Sequence, residues 1–122
     1  MTETLGTRLA RAIAGRDAPA VRLLLADDVD FKGLTPGRVW EATGADEVVD
    51  ILFGSWFEED DRIERVVDVE DGADVADTSH VSYRFDLVNG DGPYVAEQQA
   101  YYRGEHTITH LRVLCSGFRP RT

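Results

Sequence analysis

Arg84 and Asp86 stand two residues apart in the stretch "HVSYRFDL" (80–87), the spacing that sets both side chains on one face of a β-strand. A guanidinium beside a carboxylate inside a pocket holds and activates a water molecule. The opposite parity of the same strand offers different chemistry. It carries Val81, Tyr83, Phe85 and Leu87, and with Tyr83 it groups Gln98, Tyr102 and Thr109 of the strands that follow. Buried hydroxyl and amide groups need partners, so this set orients a bound carbonyl or hydroxyl, or its members satisfy one another. Tyr83 and Gln98 are the candidate donors to a developing enolate oxygen. Which parity faces inward decides between the two chemistries.

Other reactive types are scattered. Cys115 shares the parity of Tyr83's partners while His110, on the same strand, has the other, which argues against a Cys–His nucleophile pair. His106 and His110 are four strand residues apart, roughly 13 Å, too far to share one metal. No metal or cofactor is expected. Carboxylates outside the strands, Asp28 and Asp30 early and Asp46, Glu47 and Asp50 on a helix, are the remaining general-base candidates; the spacing of the last three suits a solvated face.

The elements that must position these groups follow from the pattern. Leu5, Leu9, Ala12 and Ile13 make one face of a helix ending near Gly15. Asp17 caps a second short helix, with Pro19 in its first turn and Val21, Leu24 and Leu25 as its buried stripe. "DDVDFKG" reads as a short strand with Val29 and Phe31 on one face, and "LTPGR" as a loop, with Trp40 in the loop segment that follows. Thr43 and Asp46 suggest a capping box opening a third helix, along which Val48, Val49, Leu52, Phe53 and Trp56 form an apolar stripe. "EEDD" at 58–61 opposes the helix dipole and is expected to splay into solvent. From residue 62 the period changes to two, and "NGDG" at 89–92 marks a hairpin. Helices first and an antiparallel meander afterwards imply an α+β fold with helices on one face of a curved, mostly antiparallel sheet.

A turn at Gly90-Asp91 sets Tyr83 opposite Gln98, Phe85 opposite Ala96 and Arg84 opposite Glu97. A tight turn at Gly104-Glu105 sets Gln98 opposite Leu111 and Glu97 opposite Arg112. Both hairpins give one apolar face and one polar face with an Arg84–Glu97–Arg112 ladder. The apolar face meets the helices, which turns Arg84 and Asp86 outward.

The chain has 122 residues, 13 basic against 23 acidic side chains and a formal net charge of −10. That is the length of one domain (1–122), with enough chain for a core. The charge disfavours nucleic acid and anionic membrane surfaces as partners. A single cysteine excludes an intrachain disulfide, and no apolar run reaches the ~20 residues of a membrane span. A cytoplasmic protein is expected.

With "LLLADDVDFKG" after two helices, the helix "GADEVVDILFGSWF" and the closing "VAEQQAYYRGEHTITHLRVLCSGF", the chain resembles the nuclear transport factor two-like superfamily, nearest its SnoaL-like branch. The resemblance implies a cone-shaped fold with a pocket between sheet and helices, and homodimers through the outer sheet face. It implies activities ranging from ketosteroid isomerases and polyketide cyclases to epoxide hydrolases and members without chemistry. Ketosteroid isomerases carry a general-base aspartate on the first strand, where this chain has Gly33, and a tyrosine on the first helix, where it has none. Limonene-epoxide hydrolases carry an Arg-x-Asp matched by Arg84-Phe85-Asp86, and a second aspartate where Val113 follows Arg112.

The expectation is a small-molecule-binding protein with an apolar pocket lined by Phe31, Trp40, Phe53, Trp56, Tyr83, Phe85, Gln98 and Tyr102. Its ligand is a small hydrophobic molecule, and any catalysis is isomerisation or cyclisation of a carbonyl compound. The alternatives are epoxide hydrolysis by Arg84 and Asp86, or a non-catalytic homodimer whose interface includes Arg84, Glu97, His110 and Arg112.

Overall fold

Two short helices open the chain because each carries its own start signal. In the computed structural model, which describes residues 3–121, α1 (Leu5–Ala14) begins at Thr4, whose side chain accepts from the Thr7 amide, and ends at Gly15. α2 (Ala18–Leu24) begins at Asp17, which accepts from the Ala20 amide. Their apolar stripes, Leu9, Ala10 and Ile13 with Val21 and Leu24, are fully buried.

β1 (Leu25–Thr35) follows α2 without a loop, and β2 (Arg38–Thr43) returns antiparallel to it around Pro36 and Gly37. Both strands are longer than the sequence pattern suggests, and Trp40 lies on β2 instead of in a loop. α3 (Ala45–Ile51) starts at Gly44, whose φ of 103° suits glycine. The expected Thr43–Asp46 capping box is absent; Glu47 reaches back to accept from the Thr43 amide instead. The helix then widens into a π-helical turn, Leu52–Trp56. That turn swings Trp56 and Phe57 under the sheet, where both are buried.

β3 (Arg62–Asp71), β4 (Ser79–Asn89), β5 (Gly92–Arg103), β6 (Ile108–Cys115) and the two-residue β7 (Arg119–Pro120) complete the sheet. Its order is β2-β1-β6-β5-β4-β3, with β7 beside β5. β1 and β6 run parallel, and the other pairs are antiparallel. The helices cover one face of this curved sheet, an α+β cone. Its interior is filled by Phe31, Phe57, Phe85, Leu87, Ile108 and Leu111. Burial of large side chains of this kind is worth about 1.5–3 kcal/mol each before entropy is counted.

The β4–β5 hairpin turns at Gly90-Asp91, giving the Tyr83–Gln98, Phe85–Ala96 and Arg84–Glu97 pairs expected from the sequence. The β5–β6 hairpin does not turn tightly. Residues 104–107 form a wider loop, and Gln98 stands opposite Cys115 where Leu111 was expected. The slip is four residues, an even number, so every face is retained while every partner changes. Arg112 consequently faces Tyr101 and pairs with Asp30 at 3.2 Å, while Arg84 keeps Glu97 at 3.0 Å. The expected three-residue charge ladder is therefore two separate ion pairs.

Thr109 is also corrected. Pairing between β1 and β6 shifts register between Leu25 and Asp30, so Ile108 and Leu111 both turn inward while Thr109 is exposed and donates to the Arg103 carbonyl. The acidic run is corrected in part. Glu58, Glu59 and Asp60 are exposed, but Asp61 is buried. Its carboxylate accepts from the Glu58 amide and the Asn89 side chain.

Candidate functional site

At the open end of the cone a cleft of about 230 Å³ is bounded by Thr35, Trp40, Ser55, Trp56, Phe57, Cys115, Gly117 and Phe118. Three local features build it. The Trp40 indole N–H donates to Thr35 Oγ1 at 2.8 Å, and the Arg38 guanidinium covers its ring at 3.6 Å, which fixes Trp40 as a wall. Trp56 meets Trp40 edge-on at 6.2 Å and Phe31 at 5.9 Å. After β6 the chain bulges at Ser116, whose amide donates to the Glu97 carbonyl and whose Oγ accepts from the Glu97 amide. The bulge reverses side-chain parity and brings Phe118 inward to stack on Phe57 at 6.0 Å.

Gly33 is essential to this arrangement. A Cβ at that position would stand 2.6 Å from two carbons of the Trp56 ring. The position that aligns with a general base in ketosteroid isomerases is thus occupied by an indole from the π-helical turn.

Behind the wall formed by Cys115 lies a polar pair inside the apolar face. The Tyr83 hydroxyl donates to Gln98 Oε1 at 2.7 Å, and both side chains are buried. Burial, with a smaller contribution from the neighbouring Cys115, pushes the Tyr83 phenol well above its ordinary value, so it stays a neutral hydroxyl. Its only proton is committed to Gln98. Among the described residues the Gln98 amide nitrogen has no partner, and neither does the Trp56 indole nitrogen. Leaving such a buried donor unpaired costs about 1–3 kcal/mol.

The residues expected to line one pocket are distributed differently. Trp40 and Trp56 bound the cleft, and Gln98 and Tyr83 lie behind it. Phe31, Phe85 and Tyr102 are packed into the core, with the Tyr102 hydroxyl accepting from the Gly6 amide at 3.0 Å. Phe53 lies away from the cleft, half-buried beneath the Arg16 guanidinium. Thr35, Ser55, Phe57, Gly117 and Phe118 were not singled out by sequence. The "SG" before Phe118 is the one signal that marks the parity break.

Arg84 and Asp86 are on the other side of the sheet. Asp86 is covered there by Arg65 at 2.7 Å and Arg121 at 3.6 Å, both ionic partners, while Tyr83 is buried on the inner face. A water held between Arg84 and Asp86 would stand outside the cone, so the geometry required for epoxide opening by this pair is not formed. Asp28, Asp46, Glu47 and Asp50 are exposed, and Asp30 is on the outer face with Arg112. His110 is on that face too, away from Cys115. Among the described residues, no three His, Cys, Asp or Glu side chains gather as a metal site. An acidic groove adjoins the cleft, sharing Ser55, Trp56 and Phe118 and adding Glu58, Asp60, Asp61 and Asp91.

This architecture, helices capping a curved sheet with a cleft at its open end, is the nuclear transport factor two-like fold found in SnoaL-like and ketosteroid isomerase-like proteins. A protein from Rhodopseudomonas palustris provisionally named an isomerase is similar over 96% of this chain and 93% of its own, with a TM-score of 0.73 and 19% identity. An LEH-like epoxide hydrolase of M. tuberculosis is similar over 92% of this chain and 80% of its own, with a TM-score of 0.68 and 16% identity. A Mesorhizobium loti protein provisionally named a SnoaL-like polyketide cyclase matches over 89% and 94%, with a TM-score of 0.65 and 17% identity. No family model matches the sequence, and no curated protein matches it in sequence.

Proposed function

We propose that this protein binds a compact, largely apolar small molecule in the cleft between Trp40, Trp56 and Phe118, and holds it through a carbonyl-type oxygen. The carrying observation is the pair of buried donors without acceptors, Trp56 Nε1 and Gln98 Nε2, at and behind the wall of an aromatic cleft. Both are donors, so the matching ligand group is an acceptor. The isomerase and cyclase names carried by similar folds agree with a carbonyl ligand.

Binding without turnover is the reading we favour. General acid–base catalysis needs a titratable group within hydrogen-bond reach of substrate. The cleft wall offers no carboxylate or imidazole, and Gly33 holds no base. If turnover occurs, it is isomerisation or cyclisation of a carbonyl compound, with the Gln98 amide and Trp56 indole stabilising the enolate oxygen. Tyr83 then acts by fixing the Gln98 amide, since its own proton is spent on Oε1.

The test is Trp56→Phe, which keeps an aromatic ring but removes the N–H together with the five-membered half of the indole. Small cyclic ketones at 100 times their Kd should stabilise the wild type by about 2.7 kcal/mol in thermal unfolding. Trp56→Phe should bind them at least about fivefold more weakly, the worth of a hydrogen bond near 1 kcal/mol. Equal binding by the variant, or no stabilisation by any carbonyl compound at millimolar concentration, would refute the proposal.

A second reading concerns assembly. The outer sheet face carries Val39, Leu34 and Leu114 side by side on β2, β1 and β6, all exposed. Beside them Tyr101 stacks on His80, and opposite charges interleave at Arg84–Glu97 and Arg112–Asp30. A second copy is the occupant we propose for this face, because an apolar row flanked by both signs of charge complements itself across a two-fold axis. The lone free thiol suits a reducing, cytoplasmic compartment.

A further inference from the structure

Among the described residues Cys115 is the one thiol on the cleft wall, and ligand binding through an acceptor oxygen does not by itself use it. Three features distinguish it from an inert core thiol. It is half-buried and borders the cleft instead of being sealed within the core. The backbone turns back at Gly117, with φ 72°, so that the Gly117 amide donates to Sγ at 3.4 Å. Gln98 stands directly opposite on β5, on the same inward face, and directly paired residues hold their Cβ atoms only about 5 Å apart. Gln98 is 1% exposed, and its amide nitrogen is unpartnered. Tyr83 fixes the amide by occupying Oε1, leaving the N–H groups as the free end.

A sulfur nucleophile and a free amide donor on adjacent strands match the two ends of a conjugated carbonyl group. The donor addresses the oxygen, and the sulfur addresses the β-carbon. We propose that Cys115 captures α,β-unsaturated carbonyl compounds covalently in this cleft, with the Gln98 amide holding the carbonyl oxygen. The proposal rests on the ligand reading above and names its reactive class.

The step is a conjugate addition. Sγ forms a bond to the β-carbon, and the π pair of the C=C bond moves to give an enolate whose oxygen accepts from the Gln98 amide. The thiol proton is released to water, and a proton from water returns at the α-carbon. Nothing leaves, and no oxidant or reductant is consumed. The product is a thioether adduct, and the process is capture instead of turnover.

Incubation with cyclohex-2-enone, followed by intact-protein mass spectrometry and peptide mapping, tests this. One adduct is expected, at Cys115, forming at least about tenfold faster on the folded protein than on the same chain in urea, as a positioned donor contributes that much or more. Gln98→Met, similar in volume but without the donor, should add the enone at close to the unfolded rate. Tyr83→Phe, which frees the amide to turn, should slow it severalfold and serves if Gln98→Met does not fold. Equal rates on folded and unfolded chains, or a folded variant reacting as fast as wild type, would overturn the inference. Cyclohexanone binding, followed by tryptophan fluorescence, separates the two levels. Ketone binding without enone addition sinks this inference alone, and the absence of both sinks the ligand reading as well.

Discussion

Gly33 shows how a single position decides what the cleft is able to do. Its sequence identity removes a base; its place in the fold admits an indole in the space a side chain would take. Gly33→Ala forces a methyl group into the Trp56 ring, and overpacking of this kind costs about 1–3 kcal/mol. Melting should fall accordingly, with a changed tryptophan emission; an unaltered melting temperature would mean that Trp56 is not seated on Gly33. His110 supplies a pH-dependent term from the other face. Desolvation first, then Arg112 and Arg103, lower its imidazole below the ordinary 6.5, against weaker opposition from Asp30 and Asp77. Between the lowered folded value and 6.5 the unfolded chain binds the proton more readily than the native one. Native stability is therefore unpenalised above that window, declines as pH falls through it, and levels off below the folded value. His110→Gln should flatten this part of the profile of urea midpoints between about pH 7.5 and about pH 5, and a slope unchanged by the substitution would show that other groups cause it.

The turn after α3 is where element-scale reasoning from sequence went furthest astray. The four acidic residues read as one solvated run because they share a charge. Asp61 is set apart by geometry, since the π-helical turn ends at Trp56 and the chain doubles back beneath the β4–β5 hairpin. Its carboxylate then ties Glu58 to Asn89 across that junction. Asp61→Ala leaves both donors without this acceptor, and charged hydrogen bonds are worth about 1.5–3 kcal/mol. A loss of about that size is expected in chemical unfolding, while the exposed Asp60→Ala should change little; similar small losses from both would place Asp61 in solvent. The hairpins make the same point about legibility. "NGDG" confines the β4–β5 turn to two placements with the same faces, Gly90-Asp91 or Asn89-Gly90, and the first is the one formed. Gly104-Glu105 carries no such constraint, and a wider loop moved the β5–β6 register by four residues. Parity survives an even slip, so the inward faces of Tyr83, Gln98 and Cys115 were legible while their partners were not. Phe118 was not legible at all, because the Ser116 bulge reverses parity just before it.

At the scale of the whole molecule, the parallel pairing of β1 with β6 joins the helical half to the meander, a long-range contact that no local pattern announces. It also creates the outer face on which Leu34 and Leu114 meet, with Val39 beyond Leu34. Hydrophobic periodicity had marked this face as polar, because each strand contributes only one or two apolar residues to it. The row exists only once the strands are ordered β2-β1-β6. The two-fold association proposed for it would need about 800 Å² buried on each partner to last. Leu114→Lys puts a charge at the β6 end of the row, next to Leu34, while pointing away from Cys115 and the cleft. Light scattering at micromolar concentration should give twice the chain mass for the wild type and the single-chain mass for Leu114→Lys, with ketone binding preserved in the variant. A monomeric wild type would rule the dimer out. A variant that dimerises as well as wild type would move the interface off this face.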